Sequence, residues 1–150
     1  MSIKSRSKVK AVWRAWTDVI ELEARGYRGK IYEPIEHRCE TTQGINALEY
    51  LLGSLAACIT TIIHWHASKV GVTKIDDVTM ILSGEIDLRA CTMEDASIKL
   101  GMPEITIEVS IKSPDDPTKI KKALEIAERP CPVSDTIRSP TKINLVLKSV

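Results

Sequence analysis

The chain has 150 residues, 43% hydrophobic and 27% charged, with 21 basic against 20 acidic side chains. That balance excludes a disordered chain and gives no electrostatic reason to expect a nucleic-acid or membrane partner. Aromatics are 4% with no Phe, so the core has to come from Ile, Leu, Val and Ala, and base-stacking platforms are not expected. A single domain over residues 1–150 is expected, large enough to remove roughly 70% of its unfolded surface from water. Met1 to Lys10 is polar and basic, unlike a secretory signal, so the expected location is the cytoplasm.

In chain order, Lys8 to Trp16 alternates loosely, Val19 to Ala24 repeats the pattern after a Thr17-Asp18 turn, and a third short run follows Gly26 and ends before Pro34. These read as an antiparallel meander. Pro34 to Gly44 is polar and aperiodic, a loop that leads to a long helix with Asn46 as its N-cap. From Ala47 to about Lys69 the sequence is apolar on nearly every face, with Gly53, Ser54, Ala56 and Ala57 just before Cys58. Its most apolar part, Tyr50 to Ile63, is short of the roughly 20 residues a bilayer needs. A helix apolar all round has to be buried on all sides, and one small sheet covers only one side. An obligate homodimer follows as an expectation.

Gly71 stops the helix, Asp77 to Leu88 alternates as a strand, and Cys91 to Pro103 reads as an irregular crossover. Glu104 to Lys112 alternates strictly, with Ile105, Ile107, Val109 and Ile111 on one face. Asp116-Pro117 is an N-cap followed by proline at the first helical position, which predicts a helix to about Glu128. Pro130 breaks it, Pro132 to Ile137 forms a short helical turn, and Lys142 to Val150 is expected as a closing strand. The fold class is therefore α+β.

Four cysteines, Cys39, Cys58, Cys91 and Cys131, lie far apart. In a cytosolic chain such thiols are inert, metal-bound or redox-active rather than structural disulfides. Pro130 and Pro132 push Cys131 toward an extended conformation, and Pro132 suits the first position of the next turn. Cys131 is then an N-cap thiol, where free N–H groups and the helix dipole favour the thiolate.

The segment GINALEYLLGSLAAC (44–58) resembles the signature of the OsmC/Ohr family of thiol peroxidases, SGEIDLRA (83–90) resembles the strand that follows the family's helix, and RPCPVSDTI (129–137) resembles its second-cysteine segment. The resemblance implies an OsmC-like fold of antiparallel sheets around a long buried helix, in an intertwined homodimer with active sites at the subunit interface. It further implies a hydroperoxide reductase with Cys58 as the peroxidatic thiol and Cys131 as the resolving thiol, free of metal and organic cofactors. The pair would be recycled by an external dithiol, in the family often a lipoyl group. The apolar helix around Cys58 favours an organic hydroperoxide as substrate. A non-catalytic dimer of the same fold that binds a small apolar ligand is the alternative.

Activation of Cys58 requires a cation, since burial raises a thiol pKa. The family's arginine and glutamate have no clean match. Glu49, nine residues before Cys58, agrees with other branches, but nine helical residues rotate by about 900° and leave it opposite Cys58; it would act across a distorted first turn or serve the partner's site. Arg25, in ARGY before the third strand, is the preferred cation, with Arg14 on the first strand as the alternative, while Arg129, adjacent to Cys131, would assist that thiol instead. Ile62 and Trp65, four and seven residues beyond Cys58, share its face and are candidate pocket walls. His64 and His66 are two apart and point about 200° from each other, so they do not chelate one ion, and His37-Arg38-Cys39 does not complete a zinc site. Cys39 and Cys91 have no assigned role.

Overall fold

The computed structural model describes residues 5, 7–13, 17–33, 44–87, 89, 97–127 and 129–149. Cys39, Cys91, Arg14 and His37, the loop over 34–43 and most of the expected crossover lie outside the described residues. The elements are β1 (Lys10–Trp13), β2 (Val19–Ala24), β3 (Tyr27–Tyr32), α1 (Ala47–Ala67), β4 (Asp77–Ser83), β5 (Thr106–Lys112), α2 (Pro117–Ala127) and α3 (Pro132–Arg138). They fall into two compact units, Met1–Leu51 with Asp87–Leu100, and Leu52–Ile86 with Gly101–Val150.

The first unit is the meander β1-β2-β3, antiparallel throughout. Ala24 pairs with Tyr27, so the β2–β3 loop is only Arg25-Gly26, with φ of 51° and 85°. Two positive φ values in a two-residue loop make the type I′ turn whose twist matches paired strands. Gly26 adopts this freely, whereas Arg25 is the one described non-glycine residue with positive φ.

The start of α1 shows why the GIN segment begins a helix. Asn46 Oδ1 accepts from the Glu49 N–H at 2.8 Å, and the Glu49 carboxylate accepts from the Asn46 N–H at 2.8 Å. This is a reciprocal capping box. A third free donor, the Ala47 N–H, reaches the Glu33 carboxylate at 2.7 Å. Gly44 is required by close approach: a Cβ there would run into the Tyr32 ring.

In the second unit β4 and β5 pair antiparallel, joining Val78 to Ile111, Met80 to Val109 and Leu82 to Ile107 on one half-buried face. That face packs on Leu55, Ile59, Ile62 and Ile63 of α1, with Ala127 and Cys131 in the same core. The small Ala123, at the next turn of α2, is buried with Ala67 and Val72. Gly71 ends the helical segment at φ 78°, after a 3₁₀ turn over Ser68–Val70. The Asp115 carboxylate ties the following loop down, accepting from the Thr73 and Lys74 N–H groups at 2.6 and 2.9 Å. Asp116 caps α2 through the Thr118 N–H at 2.8 Å, as the Asp-Pro signature predicts.

Four expectations change. The α1 helix is not buried all round: Tyr50, Ser54, Ala57, Thr61, His64 and Trp65 form an exposed face opposite the core residues. With its 3₁₀ turn it runs over Ala47–Val70, long and apolar enough to cross a bilayer by length and composition, rather than too short. One face of it is nevertheless the core of a packed unit. The β4 strand ends at Ser83, short of Leu88. The closing strand is absent: residues 140–149 have no secondary structure and belong to neither sheet. A strand exists only when its N–H and C=O groups find a neighbouring strand, and propensity alone does not supply one. Ile143, Leu145, Val146 and Leu147 are left exposed, Leu145 at 96%.

Asn46→Ala is expected to cost about 1 kcal/mol by removing the cap. At fixed protein concentration this lowers Tm by roughly 2–4 °C for a chain of this size. Gly71→Ala, which must hold the left-handed conformation, is expected to cost a similar amount. Thermal unfolding by circular dichroism checks both, and an unchanged Asn46→Ala midpoint would count against the capping box.

Candidate functional site

Cys131 sits between the proline that follows α2 and the proline that begins α3. Its backbone is extended, φ −79° and ψ 109°, and it is the N-cap of α3 with Pro132 in the first turn. Its Sγ accepts from the Ser134 N–H at 3.3 Å, and its carbonyl accepts from the Asp135 N–H at 2.9 Å. The thiol occupies the place that a serine or aspartate oxygen takes in most helices. It is only 1% exposed. The proline-flanked N-cap expected from the sequence is what forms.

Cys58 lies mid-way along α1, half-buried, and packs against the cluster that contains Cys131. Its thiol lies near enough to the Cys131 thiol and to the Val133 backbone N–H to be influenced by both. Residues 73 apart in sequence thus come together at one helix terminus, and both thiols are free. In the first turn of α3 the Ser134 N–H serves the Cys131 sulfur, and the neighbouring Val133 N–H lies near the Cys58 sulfur. Burial pushes the Cys58 thiol above its ordinary pKa, the Cys131 thiol pushes it further, and the Val133 N–H pulls it down. Two reduced thiols that can reach each other can surrender two electrons to an oxidant and close a disulfide, whose Cα atoms need to stand about 5.5 to 6 Å apart.

The other sequence candidates divide. Ile62 is 4% exposed and shares the core with Cys131, whereas Trp65 is 66% exposed. Glu49 is tied to Asn46 in the capping box. Arg25 is exposed at the tip of the β2–β3 turn, in the other unit from Cys58. His64 is exposed, His66 half-buried and Arg129 exposed. Sequence reasoning missed the Val133 and Ser134 amides, although CPVS, read as an N-cap and its first turn, carries the signal for both.

Residues 40–146 match the family described as OsmC-like protein. No curated protein sequence matches the chain. Among solved structures, the OsmC-like protein of Mycoplasma pneumoniae is 21% identical with a TM-score of 0.74, over 91% of this chain and 89% of that one. An OsmC-like protein of unknown function from Vibrio cholerae is 12% identical at TM-score 0.69, over 89% and 94%. The organic hydroperoxide resistance protein OhrB of Bacillus subtilis is 19% identical at TM-score 0.58, over 89% and 91%. At these identities the likeness is one of fold.

A thiol whose folded pKa is raised favours its neutral form in the folded state. Its contribution to stability is present below the unfolded pKa, about 8.5, and is lost as pH climbs through the folded value. Alkylation of Cys58 by iodoacetamide, followed by peptide mass between pH 6 and 11, is expected to titrate above free cysteine. A midpoint at or below that of free cysteine would overturn this assignment of its surroundings.

Proposed function

The chain belongs to the OsmC-like family, and from that premise we propose that it is a cysteine-based peroxidase that reduces organic hydroperoxides to alcohols. The observation that carries this reading is that Cys58 packs against the core cluster containing Cys131, which brings the two free thiols near each other at the start of α3. The Cys58 thiolate attacks the O–O bond of ROOH. One oxygen leaves with its electron pair, takes a proton and departs as ROH, and the other stays on sulfur as a sulfenic acid. The Cys131 sulfur then attacks Cys58, the hydroxyl leaves as water, and the disulfide closes. A dithiol, possessing two thiols that close on each other, returns both cysteines to the reduced state.

An upward-shifted thiol needs help to ionise, and Arg25 is our choice for it. Arginine in the left-handed conformation costs roughly 1–2 kcal/mol relative to glycine, so its presence at the tip of the turn argues for a task outside the turn. That task places a guanidinium against a thiolate in a homodimer. Two features support a homodimer: the exposed α1 face of Tyr50, Ser54, Ala57, Thr61 and Trp65, and the unpaired apolar tail. Glu49 serves by holding the first turn of the helix that carries Cys58. Ile62 beside the thiols gives the site an apolar wall that suits an alkyl or aryl peroxide. Free thiols of this kind fit a reducing compartment, and we place the protein in the cytoplasm. The alternative, a non-catalytic dimer that binds a small apolar ligand, draws support from the upward push on Cys58.

One equivalent of cumene hydroperoxide is expected to remove two thiols per chain, linked as Cys58–Cys131 by peptide mapping; no loss would favour the ligand-binding alternative. Cys58→Ser is expected to abolish peroxide consumption. Cys131→Ser keeps a good N-cap and so should fold, turn over once, and leave a sulfenic acid on Cys58 that dimedone traps. Arg25→Asn is predicted to hold or raise Tm, since Asn tolerates the left-handed conformation, while lowering the rate of peroxide consumption by at least about tenfold, or roughly 1.4 kcal/mol. An unaltered rate would remove Arg25 from the chemistry. Sedimentation at low micromolar concentration is expected to give a dimer, and a folded monomer would sink that proposal.

A further inference from the structure

Cys58 and Cys131 are both free, and the core in which they meet is otherwise built from Leu55, Ile59, Ile62, Ile63 and Ala127, with no polar side chain in it. Among the described residues no three His, Cys, Asp or Glu side chains gather to hold a metal ion. Zinc takes about four protein ligands in a structural site and three in a catalytic one, and calcium or magnesium takes about six or more oxygens. Two sulfurs in an apolar core satisfy none of these. Met80 packs on the same core and brings a third sulfur, but that atom already accepts the Thr60 hydroxyl at 3.6 Å. Two sulfur donors remain, and they suit an ion that is soft and content with two ligands.

We propose that the reduced Cys58–Cys131 pair is a Cu(I) site, in which the two thiolates hold one ion in two-coordinate geometry. Soft sulfur ligands select Cu(I) over the harder biological cations. The proposal rests on the placement of the two thiols and does not require the peroxidase reading. Two S–H bonds break, two Cu–S bonds form, and two protons leave to solvent, while copper keeps its oxidation state and no electron is transferred. The complex carries one negative charge. The Ser134 N–H, 3.3 Å from Cys131 Sγ, and the Val133 N–H near Cys58 Sγ are the outer-shell donors that receive this charge. Distance favours the ion as well: sulfurs that approach without bonding stand roughly 4 Å apart, and an ion with metal–sulfur bonds of about 2.3 Å spans much the same gap. A disulfide instead requires the sulfurs to close to about 2 Å. Cys131 is 1% exposed, so the ion enters past the half-buried Cys58 and then lies behind it. Bound copper therefore closes both sulfurs to any other reagent.

The test uses the full reduced chain under nitrogen, titrated with Cu(I) supplied as its acetonitrile complex in competition with bathocuproine disulfonate. One Cu(I) per chain is expected to be withdrawn from the chelator, and the Cys39→Ser/Cys91→Ser chain, whose only cysteines are the pair, should withdraw the same amount. Cys58→Ser and Cys131→Ser are each expected to lower the affinity by about a hundredfold or more, whereas Met80→Leu should leave it within about twofold. In the unsubstituted chain, which keeps the result independent of how variants fold, loading is expected to protect Cys58 and Cys131 from iodoacetamide by peptide mass. Copper K-edge absorption should find two sulfur neighbours and no nitrogen or oxygen. Full retention of copper by either single-cysteine variant overturns the proposal, as does free alkylation of the loaded pair, a third ligand on copper, or zinc(II) held as tightly as Cu(I). If the copper-free chain does not consume cumene hydroperoxide but the titration gives the expected site, the peroxidase reading falls and the Cu(I) site stands.

Discussion

An α-helix begins with backbone N–H groups that no residue of the helix can accept, and in α3 sulfur accepts one of them. The remainder of the site depends on that substitution. A thiol is a weaker acceptor than a hydroxyl or a carboxylate, so a cysteine at this position weakens the cap and holds a thiol whose place is set by the backbone. Pro130 and Pro132 hold Cys131 extended, the Ser134 N–H fixes where its sulfur points, and the adjacent Val133 N–H lies near the second sulfur. The core does the rest. Leu55, Ile59, Ile62 and Ile63 seat α1 against the β4–β5 sheet and Ala127, and that seating carries Cys58 to the helix terminus.

What was legible in the sequence is what short-range physics controls. Asp116-Pro117, Cys131-Pro132 and the left-handed stop at Gly71 each depend on a few consecutive residues, and each forms where expected. The alternation of Glu104 to Lys112 became β5 because a two-residue period and a half-buried sheet are the same fact seen in sequence and in space. The meeting of the two thiols was reachable only through family resemblance, since no local rule joins residues 73 apart. Other long-range ties left no mark at all. Nothing about Glu33 announces a partner 14 residues on, nor about Asp115 a loop some 41 residues back. Such carboxylates look like ordinary surface charge until the fold brings a free N–H to them.

The α1 helix shows how composition and geometry diverge. Its sequence is apolar around the whole circumference, and one chain covers only the side that bears Leu55, Ile59 and Ile63. The uncovered side differs in both side-chain size and polarity, with Ser54, Ala57, Thr61 and His64 lying between Tyr50 and Trp65. Ser54 and Ala57 lie one turn apart on it, so another backbone can approach there closely. Tyr50 marks the same side nearer the N-terminus, where a Cβ on Gly29 would come within 3.8 Å of its hydroxyl. A surface made of small residues and one aromatic at each end offers contact area at little cost in side-chain entropy.

The tail ends in a run, Ile143-Asn144-Leu145-Val146-Leu147, bracketed by Lys142 and Lys148 and unpaired in a single chain. A short uncharged segment of high strand propensity is the kind that stacks on copies of itself. Here every in-register stack would bring lysine onto lysine at both ends of the run, ammonium against ammonium at the strand spacing of about 4.8 Å. Those two charges act as gatekeepers. They discourage tail-on-tail growth without hindering the pairing of one tail with a different edge, so the chain can leave an apolar segment open and remain selective about what closes it.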